Sequence, residues 1–187
     1  MTEDYGKNAP LSYNRYLKVP ELIGLQETLS EPTSHDELLF IIIHQTYELW
    51  FKQILHEIDA TIGWLDENRT FRANHSLRAV ATIEKVIVSQ IHILETMAQI
   101  GFLEFRDKLN PASGFQSMQF RELEFVSGAK DEKILRSFQA DKFAFGKLTK
   151  RFNEPSLADA FWSLLERNRF DVSTGEARVN SIVEILT

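Results

Sequence analysis

No cysteine occurs among the 187 residues, which removes disulfides, thiolate metal sites and cysteine nucleophiles together. No apolar run approaches the ~20 residues that a membrane-spanning helix needs. The N-terminus, Met-Thr-Glu-Asp-Tyr-Gly-Lys-Asn, lacks the basic and then apolar layout of a signal peptide. Basic blocks are also missing: 21 lysines and arginines against 27 acidic residues give a net charge of −6, so nucleic acid and anionic membrane are poor partners. A soluble cytoplasmic protein is the expectation. The chain has no nucleophile elbow, no phosphate-cradling glycine-rich loop and no zinc motif. It shows no strand-like alternation beyond a few residues, no repeat and no low-complexity segment.

Histidine is scarce and poorly spaced for a metal. The residues three before His35, His44, His56, His75 and His92 are Pro32, Ile41, Gln53, Arg72 and Ser89, so the Glu-x-x-His pairs of di-iron bundles do not occur. His44 and His56 point about 120° apart on one helix and do not chelate a single ion locally. His56 and His75 read as solvated, and His92 as a helix-face residue.

What the chain does have is a hydrophobic share of 43%, enough for the core of one domain, and a sustained helical period. An all-α fold follows: long antiparallel helices forming a bundle, with an irregular N-terminal arm. Residues 1–33 form that arm, with at most a short helix near 19–29, and residues 34–187 form the helical domain. Ser34 and Glu37 have the spacing of a capping box, opening a helix of roughly 30 residues, about 45 Å long, through Leu38, Ile42, Tyr47, Trp50, Ile54, Ile58, Ile62 and Leu65. A polar turn from Asp66 to Asn74 leads to a second long helix from Leu77 to Met97, which Gly101 ends. A shorter helix carries Phe102 to Leu109 and stops before Pro111. Ser113 and Gln116 open a helix that Gly128 closes, and Ser156 with Asp159 marks another start. Val179, Ile182, Val183 and Leu186 make an apolar stripe running to the terminus without a stop signal.

Two segments hold chemistry. Within 35–54, Phe40, Tyr47 and Phe51 flank His44 on one helical face, with Glu48 a turn below. An imidazole among aromatic walls suits a flat heteroaromatic ligand whose edge it hydrogen-bonds. The plainer alternative is a core histidine satisfied by a carbonyl or by Glu48. In the second segment, Phe105 to Arg121, a Pro-Ala-Ser-Gly loop leads into a helix start, and Arg106 upstream offers a fork for a carboxylate. The alternative there is an ordinary helix junction with a surface Arg–Asp or Arg–Glu pair.

Taken together, His-Asp-Glu-Leu-Leu-Phe-Ile-Ile-Ile-His-Gln-Thr-Tyr-Glu-Leu-Trp-Phe-Lys-Gln and Phe-Arg-Asp-x-Leu-x-Pro-Ala-Ser-Gly-Phe-Gln-Ser-x-Gln-Phe-Arg resemble the signature blocks of the tryptophan 2,3-dioxygenase family, from about Tyr13 to about Leu165. The resemblance implies an all-helical homotetramer that binds haem b and inserts both atoms of dioxygen across the indole C2–C3 bond of L-tryptophan. The product is N-formylkynurenine, and the pathway is kynurenine-type tryptophan catabolism. By the same resemblance His44 is the distal, catalytic histidine that hydrogen-bonds the indole N–H, Phe40 packs on the substrate ring, and Arg106 pairs with the substrate carboxylate. Phe102, Leu109 and Ser113 fall at pocket positions, Phe102 standing where some members carry tyrosine. Tyr13, Tyr16 and Leu17 match arm residues that reach a neighbouring subunit's pocket, which makes the arm intersubunit.

The chain departs from the family in one respect. The family's proximal haem ligand is a histidine on a later helix, and its substrate ammonium meets a Thr-Gly-Gly-Ser-Ser type loop. No histidine follows His92 here, and no such loop exists. The expectation is a chain corresponding to the N-terminal two-thirds of such an enzyme, with no metal ligand of its own and weak or no turnover. A non-catalytic helical interaction or ligand-binding module derived from this family is the alternative, and a haem enzyme acting on another indole is a third.

Overall fold

A computed structural model describes residues 11–187, so the first ten residues of the expected arm lie outside the described residues. Ten α-helices, and no strand, occur among the described residues. They are α1 (Tyr13–Leu17), α2 (Val19–Leu22), α3 (His35–Asp66), α4 (Thr70–Leu94), α5 (Gln99–Arg106), α6 (Met118–Ser127), α7 (Glu132–Ser137), α8 (Lys142–Asn153), α9 (Leu157–Arg167) and α10 (Gly175–Leu186). The all-α expectation is met.

The long helix α3 is the spine, and α4 returns along it. Leu65 and Ala73 share a core cluster beside the turn, Ser76 Oγ donates to Glu57 further along, and Tyr47 Oη donates to the Ile87 carbonyl at 3.2 Å beyond that. Contacts that move apart in sequence from a short turn define an antiparallel pair. The main core, Ile54, Leu55, Ile58, Val80 and Val126, joins α3, α4 and α6. A second cluster packs Phe125 of α6 on Leu135, Phe138, Ala144 and Leu148 of the α7–α8 region. Both lie away from the N-terminal half of α3, so that half is thinly covered: Leu38, Ile42 and Leu49 are exposed.

The Ser34–Glu37 capping box does not form. Ser34 occupies the N-cap position without a side-chain cap bond, and its hydroxyl instead donates to Glu104 of α5 at 2.8 Å. The Glu37 carboxylate turns to the arm, accepting from Leu29 N–H at 2.6 Å, from Ser30 N–H at 3.0 Å and from the Ser30 hydroxyl. Two backbone donors and a hydroxyl are a better match for a buried carboxylate than one orphan helix N–H.

The short helix near 19–29 is confined to Val19–Leu22. Gly101 does not end the second long helix, which stops at Leu94; it lies within α5, where an added Cβ would meet Asp36 Oδ2 at 2.1 Å. Gly101 therefore serves close approach of α5 to the first turn of α3. From Gln99 to Leu109 the chain runs at 92° to α4, which brings α5 back over α3. The Ser113–Gln116 box forms, but it opens only a single 3₁₀ turn, Gly114–Gln116. Ser117 caps α6 in its place. Gly128 closes α6 at φ +112°, and Ser156 with Asp159 makes a complete capping box at α9. The helices α7 and α8 do not appear among the expected elements; α8 opens on Asp141, whose carboxylate accepts from Phe143 N–H and Ala144 N–H.

Candidate functional site

On one face of α3 stand Glu37, Phe40, His44, Tyr47, Glu48 and Phe51, and each is held by a different neighbour. His44 Nδ1 lies 2.7 Å from the Phe40 carbonyl oxygen. A carbonyl only accepts, so Nδ1 carries the proton, and in the neutral ring Nε2 keeps its lone pair. Nε2 has no hydrogen-bond partner among the described residues. The Phe40 and His44 rings lie 4.2 Å apart. Glu48 is not the partner of His44: it accepts the Ser117 hydroxyl at 2.6 Å and the Gln119 side-chain amide at 2.8 Å. Burial pushes the Tyr47 phenol up, so it stays protonated and donates to α4.

Phe40 also starts an aromatic strip that runs onto α5. Its ring centroid is 5.8 Å from Phe102 and 5.4 Å from Phe105, and Phe105 is fully buried. Arg106 extends the strip, its guanidinium 6.0 Å from the Phe102 centroid. Among the described residues Arg106 makes no ion pair, so the surface pair that is one sequence reading of this arginine is not formed. A cleft of about 450 Å³ is lined by Phe40, Phe102, Arg106, Leu109 and the turn through Ala112. A second aromatic row, Tyr47, Phe51 and Phe120, flanks His44 on the other side with centroids 6.1 and 5.6 Å apart.

Ser113 does not line the cleft. Its Oγ accepts from Phe115 N–H at 3.3 Å, and its own N–H donates to Gln116 at 3.0 Å. This loop is exposed, yet it is tied from below by Arg121, which donates to the Phe115 carbonyl at 3.4 Å and pairs with Glu124 at 2.7 Å. The structure thus brings Phe40, Phe102, Arg106 and Leu109 to the cleft, stands His44 beside it against the Phe40 ring, and sets Ser113 on the adjoining loop. Tyr13, Tyr16 and Leu17 are 75%, 71% and 44% exposed on α1 and are not brought to the cleft. His35, His56, His75 and His92 are exposed as well. No three histidine, aspartate or glutamate side chains converge on a metal position among the described residues.

The contacts of Glu37 and Glu48 are the part of the site that pattern reading missed. Only their place on the His44 face is visible in sequence, because the partners of Glu37 lie in the irregular arm and those of Glu48 in a remote segment.

The model of the family described as tryptophan 2,3-dioxygenase matches residues 2–175. The chain is 52% identical to the tryptophan 2,3-dioxygenase of Nocardioides sp. over 167 residues, covering 85% of this chain and 61% of that protein. With the enzyme of Herpetosiphon aurantiacus it is 51% identical over 162 residues, covering 87% and 62%, and with that of Aedes aegypti 41% identical over 177 residues, covering 87% and 45%. The chain spans about three-fifths of the length of the two bacterial relatives. With an imidazole acceptor, an aromatic strip and a guanidinium that makes no ion pair among the described residues carried on α3 and α5, and with these matches over most of its length, the chain belongs to the tryptophan 2,3-dioxygenase family.

Proposed function

We propose that this chain contributes to the ring opening of L-tryptophan to N-formylkynurenine, the two oxygen atoms of one dioxygen molecule entering across indole C2–C3. Substrate plus dioxygen equals product, so no further reductant is consumed. The observation that carries this reading is the strip from His44 through Phe40 and Phe102 to Arg106. It has a hydrogen-bond acceptor at one end, flat apolar walls along it and a guanidinium at the other, which matches an amino acid with an indole side chain. His44 Nε2 accepts the indole N–H, Phe40 packs against the ring, and Arg106 receives the carboxylate in a two-point contact. Phe102 and Leu109 shape the cleft, and Ser113 offers a hydroxyl from its rim. Tight orientation and exclusion of water are what these side chains supply to the reaction.

Haem b is the cofactor this reading implies; when bound, it supplies the iron that activates dioxygen. The residues present fit one side of such a group. The row Tyr47, Phe51 and Phe120 is apolar, and His44, half-buried beside it, has an open Nε2. These residues would form the distal wall. The exposed arm residues Tyr13, Tyr16 and Leu17 are offered to a neighbouring copy, in keeping with a homotetramer.

The test is a haem titration followed by absorbance, coupled to an assay for N-formylkynurenine. Weak haem binding with slow product formation from L-tryptophan is the expected result, since no histidine follows His92 in this sequence. Saturable haem binding with no product overturns the catalytic reading for this chain.

A further inference from the structure

Two carboxylates share the His44 face of α3, Glu37 two turns before it and Glu48 one turn after it. Glu37 collects donors from the arm just before the helix, and Glu48 from a segment about 70 residues further on. Glu37, 1% exposed, accepts from Leu29 N–H, Ser30 N–H and the Ser30 hydroxyl, and Ser34 N–H donates to the same Ser30 oxygen at 2.8 Å. Glu48 accepts the Ser117 hydroxyl on one oxygen and the Gln119 amide on the other. That amide also donates to the Glu48 carbonyl at 2.9 Å. Ser117 in turn accepts from Phe120 N–H at 3.2 Å, so the clamp reaches the first turn of α6.

We propose that Glu37 and Glu48 are positioning residues that bracket His44, Glu37 fixing residues 29–34 and Glu48 fixing residues 113–120 against α3. The proposal rests on His44 being the centre of the site. Neither carboxylate lines the cleft; each acts by holding a segment that borders the His44 face. Residues 113–116 of the loop are exposed, and Arg121 ties the Phe115 carbonyl to α6, which packs on α3 separately through Val126. The side-chain polar attachment of the loop to the helix that carries His44 therefore runs through Glu48, beside the Phe51–Phe120 ring contact.

The two brackets differ in one chemical respect that makes them testable. Glu37 faces two backbone N–H groups, which have no other orientation to adopt. Glu48 faces a hydroxyl that rotates and a side-chain amide that turns over, so both of its partners accept as readily as they donate. Glutamine, with one acceptor oxygen and one donor nitrogen, is therefore tolerated at position 48 and not at position 37.

The experiment is hydrogen exchange read by mass spectrometry on the full 187-residue chain. Glu48→Ala is expected to speed exchange in residues 113–120 by about tenfold and to leave 29–34 unchanged, and Glu37→Ala to do the reverse. Glu48→Gln should stay within about threefold of the parent, while Glu37→Gln should match Glu37→Ala. Unchanged exchange in the bracketed segment, a uniform rise across the chain, or rescue by glutamine at 37 overturns the proposal. If either alanine variant fails to fold, Ser30→Ala and Gln119→Leu remove one donor each from the far side. The same segments should then loosen, by about threefold, and no local change overturns the proposal. Calorimetric titration of the parent with L-tryptophan separates the two readings. Absence of binding sinks the proposed function, while the exchange pattern still decides whether the brackets exist.

Discussion

His44 owes its chemical character to a backbone atom four residues earlier. The Phe40 carbonyl holds the proton on Nδ1, so the acceptor lone pair is presented at Nε2 without help from a carboxylate. Such an acceptor distinguishes an indole N–H from an N-methylated one. L-tryptophan should bind the parent chain more tightly than 1-methyl-L-tryptophan by about the net worth of one hydrogen bond, 0.5–1.5 kcal/mol, and His44→Ala should erase that preference. A preference that survives in His44→Ala, measured calorimetrically, rules out the acceptor role. At the other end of the strip, Arg106 has no ion-pair partner among the described residues, so its loss costs the ligand and not the fold. Arg106→Ala should weaken L-tryptophan by roughly 1.5–3 kcal/mol, the range for hydrogen bonds to a charged group, and leave tryptamine, which lacks the carboxylate, unaffected. Equal losses for both ligands would remove the carboxylate role.

Among the elements, α3, α4, α6 and α9 were legible in the sequence because a sustained apolar period and Ser, Gly or Pro punctuation are local signals. The helices α7 and α8 were not read, although Asp131 and Asp141 both act as N-caps. The six residues of α7 are too few for a helical period, and Leu135 and Leu148 are buried in one cluster with Phe125 of α6, a contact no local pattern reports. The Ser34–Glu37 motif shows the opposite case: the spacing is correct, and tertiary donors take the carboxylate away from the cap. The site was legible as residue types on one face, while its coupling to 29–34 depends on the path of an irregular arm and its coupling to 113–120 on folding across the chain.

The Glu37 junction also sets an acid limit on the arm. Burial alone pushes the Glu37 carboxyl up, but the hydrogen bonds from Leu29 N–H, the Ser30 hydroxyl and Ser30 N–H together outweigh it and hold the group below its ordinary value of 4.5. A carboxyl with a depressed folded value stabilises the junction above that ordinary value and loses the contribution as pH falls through the folded one. Glu104, reached through Ser34, faces the same junction from α5. Proteolytic nicking within residues 18–34 should therefore be slow at pH 5 and above and should rise as pH falls below about 4.5. Glu37→Gln should be nicked readily at every pH, and a Glu37→Gln chain that keeps the acid transition would place its cause elsewhere. At the end of α6, Gly128→Ala forces a side chain onto φ +112°, with Ser156 and Ala158 already 3.4 Å from the new Cβ. A loss of about 1–2 kcal/mol in urea unfolding is expected.

At the scale of the whole molecule the core is unevenly spread, and that unevenness bears on assembly. Buried apolar side chains concentrate where α3, α4, α6 and α9 meet, while the N-terminal half of α3 keeps an outer face of Leu38, Ile42 and Leu49. This face is turned away from His44, because steps of four and seven residues stay on one side of a helix. Arm residues border it: the Gln45 side chain donates to the Leu25 carbonyl at 3.1 Å, and Leu22, Ile23, Leu25 and Leu29 are exposed nearby in the chain. An apolar strip of this kind is costly in water and is relieved by association. Burial of each aliphatic side chain contributes roughly 1.5–3 kcal/mol when complete, and in a symmetric assembly every such contact is made at least twice. Under the proposed homotetramer, replacing Leu38 and Ile42 by lysine puts charge into the same contact, so the expected result in sedimentation velocity is a shift from oligomer to monomer at unchanged concentration. His44 and Phe40 lie on the other side of α3 and Arg106 on α5, so the double-lysine chain should keep the residues that line the cleft in place. An oligomer that persists in the double-lysine chain would move the interface off this face of α3.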